Sequence, residues 1–141
     1  MVITLDVALQ MIDAMIEHAE RMGNLCSCAV YNKYGELITA QRMDGALIPT
    51  IDIARDKAWT AAVFKMPSSG IAKFGNPSTP GFGFNTQNWN DRLTTIAGGL
   101  PVTDENDEVV GAVGVSGGTP EQDVAVCQAG IAAFSSLGSK V

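Results

Sequence analysis

Histidine is nearly missing from this chain of 141 residues, with His18 as its only example. That scarcity bears on the most conspicuous motif, the G-x-S-x-G of Gly114-Val115-Ser116-Gly117-Gly118. A serine nucleophile needs a base within hydrogen-bond reach and a third group to orient it. The hydrolase elbow puts an acid and then a histidine after the serine, and no histidine follows Ser116. The residue order argues against a triad, and a Ser116–Lys57 pairing has no positive support. Basic residues are also few: nine Lys and Arg face fifteen Asp and Glu, a net charge of −6. They form no cluster, so the chain lacks the electrostatic footprint of a nucleic-acid binder.

The N-terminus carries no basic stretch, and Asp6, Asp13, Glu17 and Glu20 interrupt its apolar residues. It reads as neither a signal peptide nor a membrane span, so no membrane partner is expected. Three cysteines are too few, and odd in number, for a disulfide framework. Buried thiols in a reducing, cytoplasmic compartment are expected instead. Cys26 and Cys28, two apart, share a face if they lie on a strand. Together with Cys127 and His18 they match no zinc spacing, so no metal site is expected.

What is present suits one domain spanning residues 1–141, with 46% apolar residues. That apolar content is high for the length and suggests surface buried between subunits of a homo-oligomer. Leu5, Ala8, Leu9, Ile12, Met15, Ile16 and Ala19 recur at helical spacing, with Thr4 as N-cap and Gly23 as terminator. Leu25–Tyr31 and Leu37–Arg42 read as a β-hairpin turned by Asn32 and Gly35. Thr50 is expected to cap a second helix, whose stripe of Ile51, Ala54, Ala58, Ala61 and Ala62 is small enough for close packing. Residues 67–90 read as a long irregular loop in which Phe74, Phe82, Phe84 and Trp89 pack against the domain or a neighbour. "RLTTIA" reads as a strand, "GGLPV" as a tight turn and "EVVGAVGVSG" as a second strand. Thr119, Pro120 and Gln122 then open a capped helix. The order α-β-β-α-loop-β-β-α implies an α+β fold, an α/β sandwich around a central antiparallel sheet of four to five strands.

Without a triad, the glycines make sense as geometry. Gly111 and Gly114 thin a strand where a backbone or ligand comes close. Gly117 and Gly118, with Ser116 and Thr119, either seat a carboxylate or phosphate at a helix N-terminus or simply turn the chain tightly. Gly98, Gly99 and Pro101 form a second special-backbone turn that can lie beside the first. Arg42, Asp44 and Lys57 bring a fork donor, a carboxylate and an ammonium to one corner. They either grip an acidic small molecule or form an ion pair that fixes that corner. His18, at the margin of its helix stripe, is either a haem-iron ligand or a boundary residue.

Four motifs stand in order: "RMDGA" at Arg42–Ala46, "IARDKAWTAA" at Ile53–Ala62, "GGLPV" at Gly98–Val102 and "VVGAVGVSGGTPEQD" at Val109–Asp123. Together they resemble the GlcG/HbpS family over nearly the whole chain, closest to the branch of PduO C-terminal domains. The resemblance implies an α/β sandwich, oligomeric assembly, frequent haem binding and neighbourhood to catabolic operons. It implies a first-helix histidine at haem iron, a role only His18 can take. The expectation is a small-molecule-binding protein whose ligand is haem or a small carboxylate. Its pocket would be lined by Arg42, Asp44, Lys57, Gly98, Gly99, Pro101, Ser116, Gly117, Gly118 and Thr119. The alternative is a hydrolase or isomerase acting on a diol-derived or aromatic ring-cleavage acid. Lys57 or Asp44 would be its acid/base, and the glycine turn would hold developing charge.

Overall fold

A computed structural model describes residues 2–75 and 90–138. In chain order it holds α1 (Leu5–Met22), β1 (Ser27–Asn32), β2 (Leu37–Arg42), α2 (Thr50–Phe64), a 3-10 segment (Ser68–Gly75), β3 (Gly99–Thr103), β4 (Val109–Ser116) and α3 (Pro120–Gly138). The four strands form one antiparallel sheet in the order β2-β1-β4-β3. The α+β sandwich and its element order are as the sequence implied.

Local chemistry explains the helix ends. Thr4 Oγ1 accepts the Val7 amide at 3.2 Å, one of the orphan donors that open α1. Gly23 takes φ 70°, and the Asn24 amide returns to the Ala19 carbonyl, a Schellman closure. At α3 the box closes reciprocally: the Gln122 amide donates to Thr119 Oγ1 at 3.2 Å and the Thr119 amide to Gln122 Oε1 at 2.9 Å. The start of α2 departs from expectation. Pro49 holds the cap position, while the buried Thr50 hydroxyl donates to the Leu47 carbonyl at 2.6 Å. That leaves Ser27 Oγ to donate to Thr50 Oγ1, at 2.8 Å.

Both hairpins turn on one device. Asn32 Oδ1 accepts the amides of Tyr34 and Glu36, and Asp104 Oδ1 accepts those of Asn106 and Glu108. Short Asx side chains thus replace backbone partners inside each turn.

Alternation along β1 and β4 divides the core in two. Cys28, Val30, Val113 and Val115 point to one face and pack with Met11, Ile12 and Met15 of α1 and Val126, Cys127 and Phe134 of α3. Ala29, Tyr31 and Ala112 point to the other, against Ala54, Ala58, Ala61 and Ala62 of α2. The alanines let α2 lie directly on the sheet. A Cβ on Gly114 would meet the Ala54 carbonyl and come within 2.6 Å of the Ala58 amide nitrogen. This strand glycine serves close helix packing.

The third strand corrects the sequence reading. Arg92–Ala97 is not a strand, and the sheet begins instead at Gly99 within the expected turn. Hydroxyls hold the preceding segment: Thr60 Oγ1 donates to the Arg92 carbonyl and accepts the Thr94 amide, while Ser68 Oγ donates to the Ile96 carbonyl and accepts the Gly99 amide. Pro101 is tolerated because β3 is an edge strand, where an amide can be spared. The expected irregular loop begins as the 3-10 segment; Phe82, Phe84 and Trp89 lie outside the described residues.

Candidate functional site

One end of the sheet gathers most of the residues singled out by sequence. The register aligns Arg42, Ser27 and Ser116 in one row across β2, β1 and β4. Residues paired across antiparallel strands share a face, so all three belong to the α2 side. The start of β3 and the N-termini of α2 and α3 abut the same end.

Lys57 lies at its centre. The side chain is buried, and its Nζ donates to the Val115 carbonyl at 2.9 Å and to Asp123 Oδ2 at 3.2 Å. The pair is 3% and 4% exposed and joins α2, on one face of the sheet, to α3 on the other. Gly98 makes room for it: a Cβ there would fall 2.8 Å from Nζ and 2.7 Å from the Val115 carbonyl oxygen. Gly98 also has φ 121°, a conformation that favours glycine. Gly99 gives the Lys57 backbone the same close approach on β3.

The glycine turn after β4 does seat a carboxylate, and the carboxylate is internal. Asp123 Oδ1 accepts the Gly118 amide at 3.0 Å and the Asn24 side-chain amide at 3.5 Å. The Thr119 amide is taken by Gln122. Gly117, at φ 148°, packs on the Leu25 carbonyl and Cys26 Cα, where a side chain would collide. Ser116 is 7% exposed, and its hydroxyl forms no hydrogen bond among the described residues. Pro101, half-buried, pairs with Ala112 further along β3.

Arg42 and Asp44 open a different part of this end. With Ile16, Glu20, Leu25 and Met43 they line a shallow groove of 340 Å³. Arg42 Nη1 donates to the Ala46 carbonyl at 2.9 Å, and exposed Asp44 forms no ion pair among the described residues. The acid partner of Lys57 is therefore Asp123, not Asp44. His18 is half-buried and likewise forms no hydrogen bond or ion pair among the described residues. Two residues beyond Ile16, it projects about 200° around α1 from that groove wall.

Three thiols are buried nearby. Cys26 Sγ lies 3.9 Å from Cys28 Sγ and 3.7 Å from Met43 Sδ. The Cys28 hydrogen bond pulls the Cys26 thiol down, while that bond and burial hold Cys28 well up. Burial pushes Cys127 up, its thiol donating to the Gly98 carbonyl at 3.1 Å. Among the described residues no three His, Cys, Asp or Glu side chains converge on a metal position.

Asp123 and Asn24 escaped the sequence reading. Asp123 lies four residues before Cys127, on the buried stripe of α3, and Lys57 lies between Ala54 and Ala61 on that of α2. A charge on each of two buried stripes was the available signal, since such groups are seldom buried unpaired.

A family model described as haem degrading protein HbpS-like matches residues 3–132. An uncharacterized 15.0 kDa protein from the dhaT–dhaS intergenic region of Citrobacter freundii is 35% identical over 135 residues, 96% of this chain and 94% of that protein. The crystal structure of Klebsiella pneumoniae protein ORFY superposes with a TM-score of 0.86 at 36% identity, over 93% of this chain and 89% of that one. The PduOC:heme complex superposes at 0.83 over 94% and 95% of the two chains; at 24% identity that likeness concerns the fold. Among the described residues no helix is long and apolar enough to cross a membrane.

Proposed function

The chain belongs to the HbpS-like family, and from that premise we propose that it binds a small molecule, haem, with His18 as the iron ligand. The observation that carries this reading is the imidazole itself. It is half-buried, without a hydrogen bond or ion pair among the described residues, and half-buried Ala14 and Met22 flank it one turn away on either side. A free ring nitrogen on an apolar helix margin fits a haem edge and its iron. Haem would supply the iron centre; the chain supplies the imidazole and the apolar flank. The family's description as haem degrading supports the same choice.

A small carboxylate is the second reading, favoured by the groove beside Arg42. One guanidinium nitrogen holds the Ala46 carbonyl, and the other donors have no partner among the described residues. An enzymatic role for Lys57 would require the Lys57–Asp123 pair to open first, whereas Asp44 is free at the groove rim. We include in the proposal a homo-oligomer, supported by the exposed Leu25, Leu37, Leu47 and Ile48 around edge strand β2 and the loop after it. A cytoplasmic setting beside a catabolic pathway belongs to it as well. The test is a haem titration followed by absorbance, with His18→Ala alongside. A saturable Soret band that weakens in the variant is expected; no saturable band, or equal binding by the variant, removes the haem reading.

A further inference from the structure

The two thiols at the α1–β1 corner have no part in haem or carboxylate binding, yet they are arranged with the sulfur of Met43, which lines the groove. Cys26 Sγ is the common vertex, 3.9 Å from Cys28 Sγ and 3.7 Å from Met43 Sδ. A trigonal metal with sulfurs about 2.3 Å away separates those sulfurs by about 4 Å. The two edges from Cys26 are therefore already near the span of a bound ion, and the third, between Cys28 and Met43, is closed by the ion as it enters. The thioether is also held in place, since Met43 Sδ accepts the Cys26 amide at 3.4 Å. Both thiols are fully buried, whereas Met43 is 8% exposed and lines the open groove with Arg42 and Glu20.

We propose that Cys26, Cys28 and Met43 form a binding site for a soft monovalent metal ion of the cuprous type, entered from the groove past Met43. Thiolate and thioether donors select such ions over harder divalent ones. Two thiols and one thioether give a three-coordinate set in which Cys26 and Cys28 each lose a proton to solvent as the ion enters. No electrons are transferred. The bound group then carries one net negative charge. The two cysteines do not need to approach each other further, as a disulfide between residues two apart on a strand would require.

The experiment is an anaerobic titration of the reduced protein with Cu(I) held by a competing colorimetric chelator, with wild type beside Met43→Leu, Cys127→Ala and the double variant Cys26→Ala/Cys28→Ala. Circular dichroism verifies the fold of each. One equivalent of Cu(I) withdrawn from the chelator is expected for wild type and Cys127→Ala. The double variant should withdraw none. Met43→Leu, which keeps the volume, should lose at least the roughly tenfold affinity typical of a disturbed outer shell. Withdrawal by the double variant equal to wild type overturns the site. So does a wild type that leaves copper on the chelator, or a Met43→Leu variant with undiminished affinity. If the double variant does not fold, Met43→Leu and Cys127→Ala decide the matter between them.

Discussion

Replacing Lys57 by methionine removes the ammonium from the buried pair while keeping most of the aliphatic stem. Asp123 then keeps the Gly118 amide at 3.0 Å and the longer Asn24 contact at 3.5 Å, but no cation. The Val115 carbonyl loses its bond from Lys57 at 2.9 Å. Both members of the pair are at most 4% exposed, so solvent does little to compensate. Breaking a buried pair from one side costs about 3–5 kcal/mol. For a domain of this size that corresponds to a fall in Tm of about 10–20 °C. Thermal unfolding by circular dichroism reads it directly. The companion variant, Lys57→Met with Asp123→Leu, removes both charges and should recover part of the loss, because no charge is then stranded. A Lys57→Met protein melting within about 3 °C of wild type would refute the reasoning: the pair would then be wet, and α2 and α3 would not depend on it. Recovery in the double variant would show that the loss comes from stranding the Asp123 charge rather than from the change of side-chain shape.

Three smaller predictions follow from the same packing. Gly114→Ala drives a methyl onto the Ala54 carbonyl and Ala58 amide of α2, and should cost about 1–3 kcal/mol in urea unfolding, the usual scale of overpacking. Thr119→Ala removes one side of the α3 capping box and should cost about 1 kcal/mol by the same assay, with amide exchange accelerated in the first turn of α3. Asp104 accepts the Asn106 and Glu108 amides, which holds its carboxyl below the ordinary range. Its folded value is the lower one, so its contribution is present above the unfolded value and lost as pH falls through the folded one. An NMR titration should show Asp104 protonating only below the ordinary aspartate range as the solution is acidified, and Asn106→Pro, which removes one donating amide, should bring it back up.

Much of the architecture was legible because it rests on contacts within a few residues. Thr4 and Gly23 bound α1, Thr119 and Gln122 open α3, and Asn32 turns the first hairpin, each through partners no more than four or five positions away. Periodicity did the same for the two-faced core. Misreadings arose where a local signal met a distant partner. Thr50 looked like a cap, but its hydroxyl is drawn inward by Ser27. "RLTTIA" looked like a strand, but hydroxyls of Thr60 and Ser68 hold that segment, and the sheet starts at Gly99.

The sequence by itself determined the α-β-β-α-β-β-α order, both ends of α1, the start of α3 and the case against a serine triad, since caps, turns, periodicity and a histidine count are all local or compositional. Only the tertiary structure decided what each functional group faces. Lys57 and Asp123 are 66 positions apart, and their meeting depends on two helices packing on opposite faces of one sheet around a glycine gap. The same packing filled the glycine turn with the chain's own carboxylate and drew Cys26, Cys28 and Met43 together. Buried charges and thiols take their partners from whichever layers enclose them, and no local pattern specifies which layers those are.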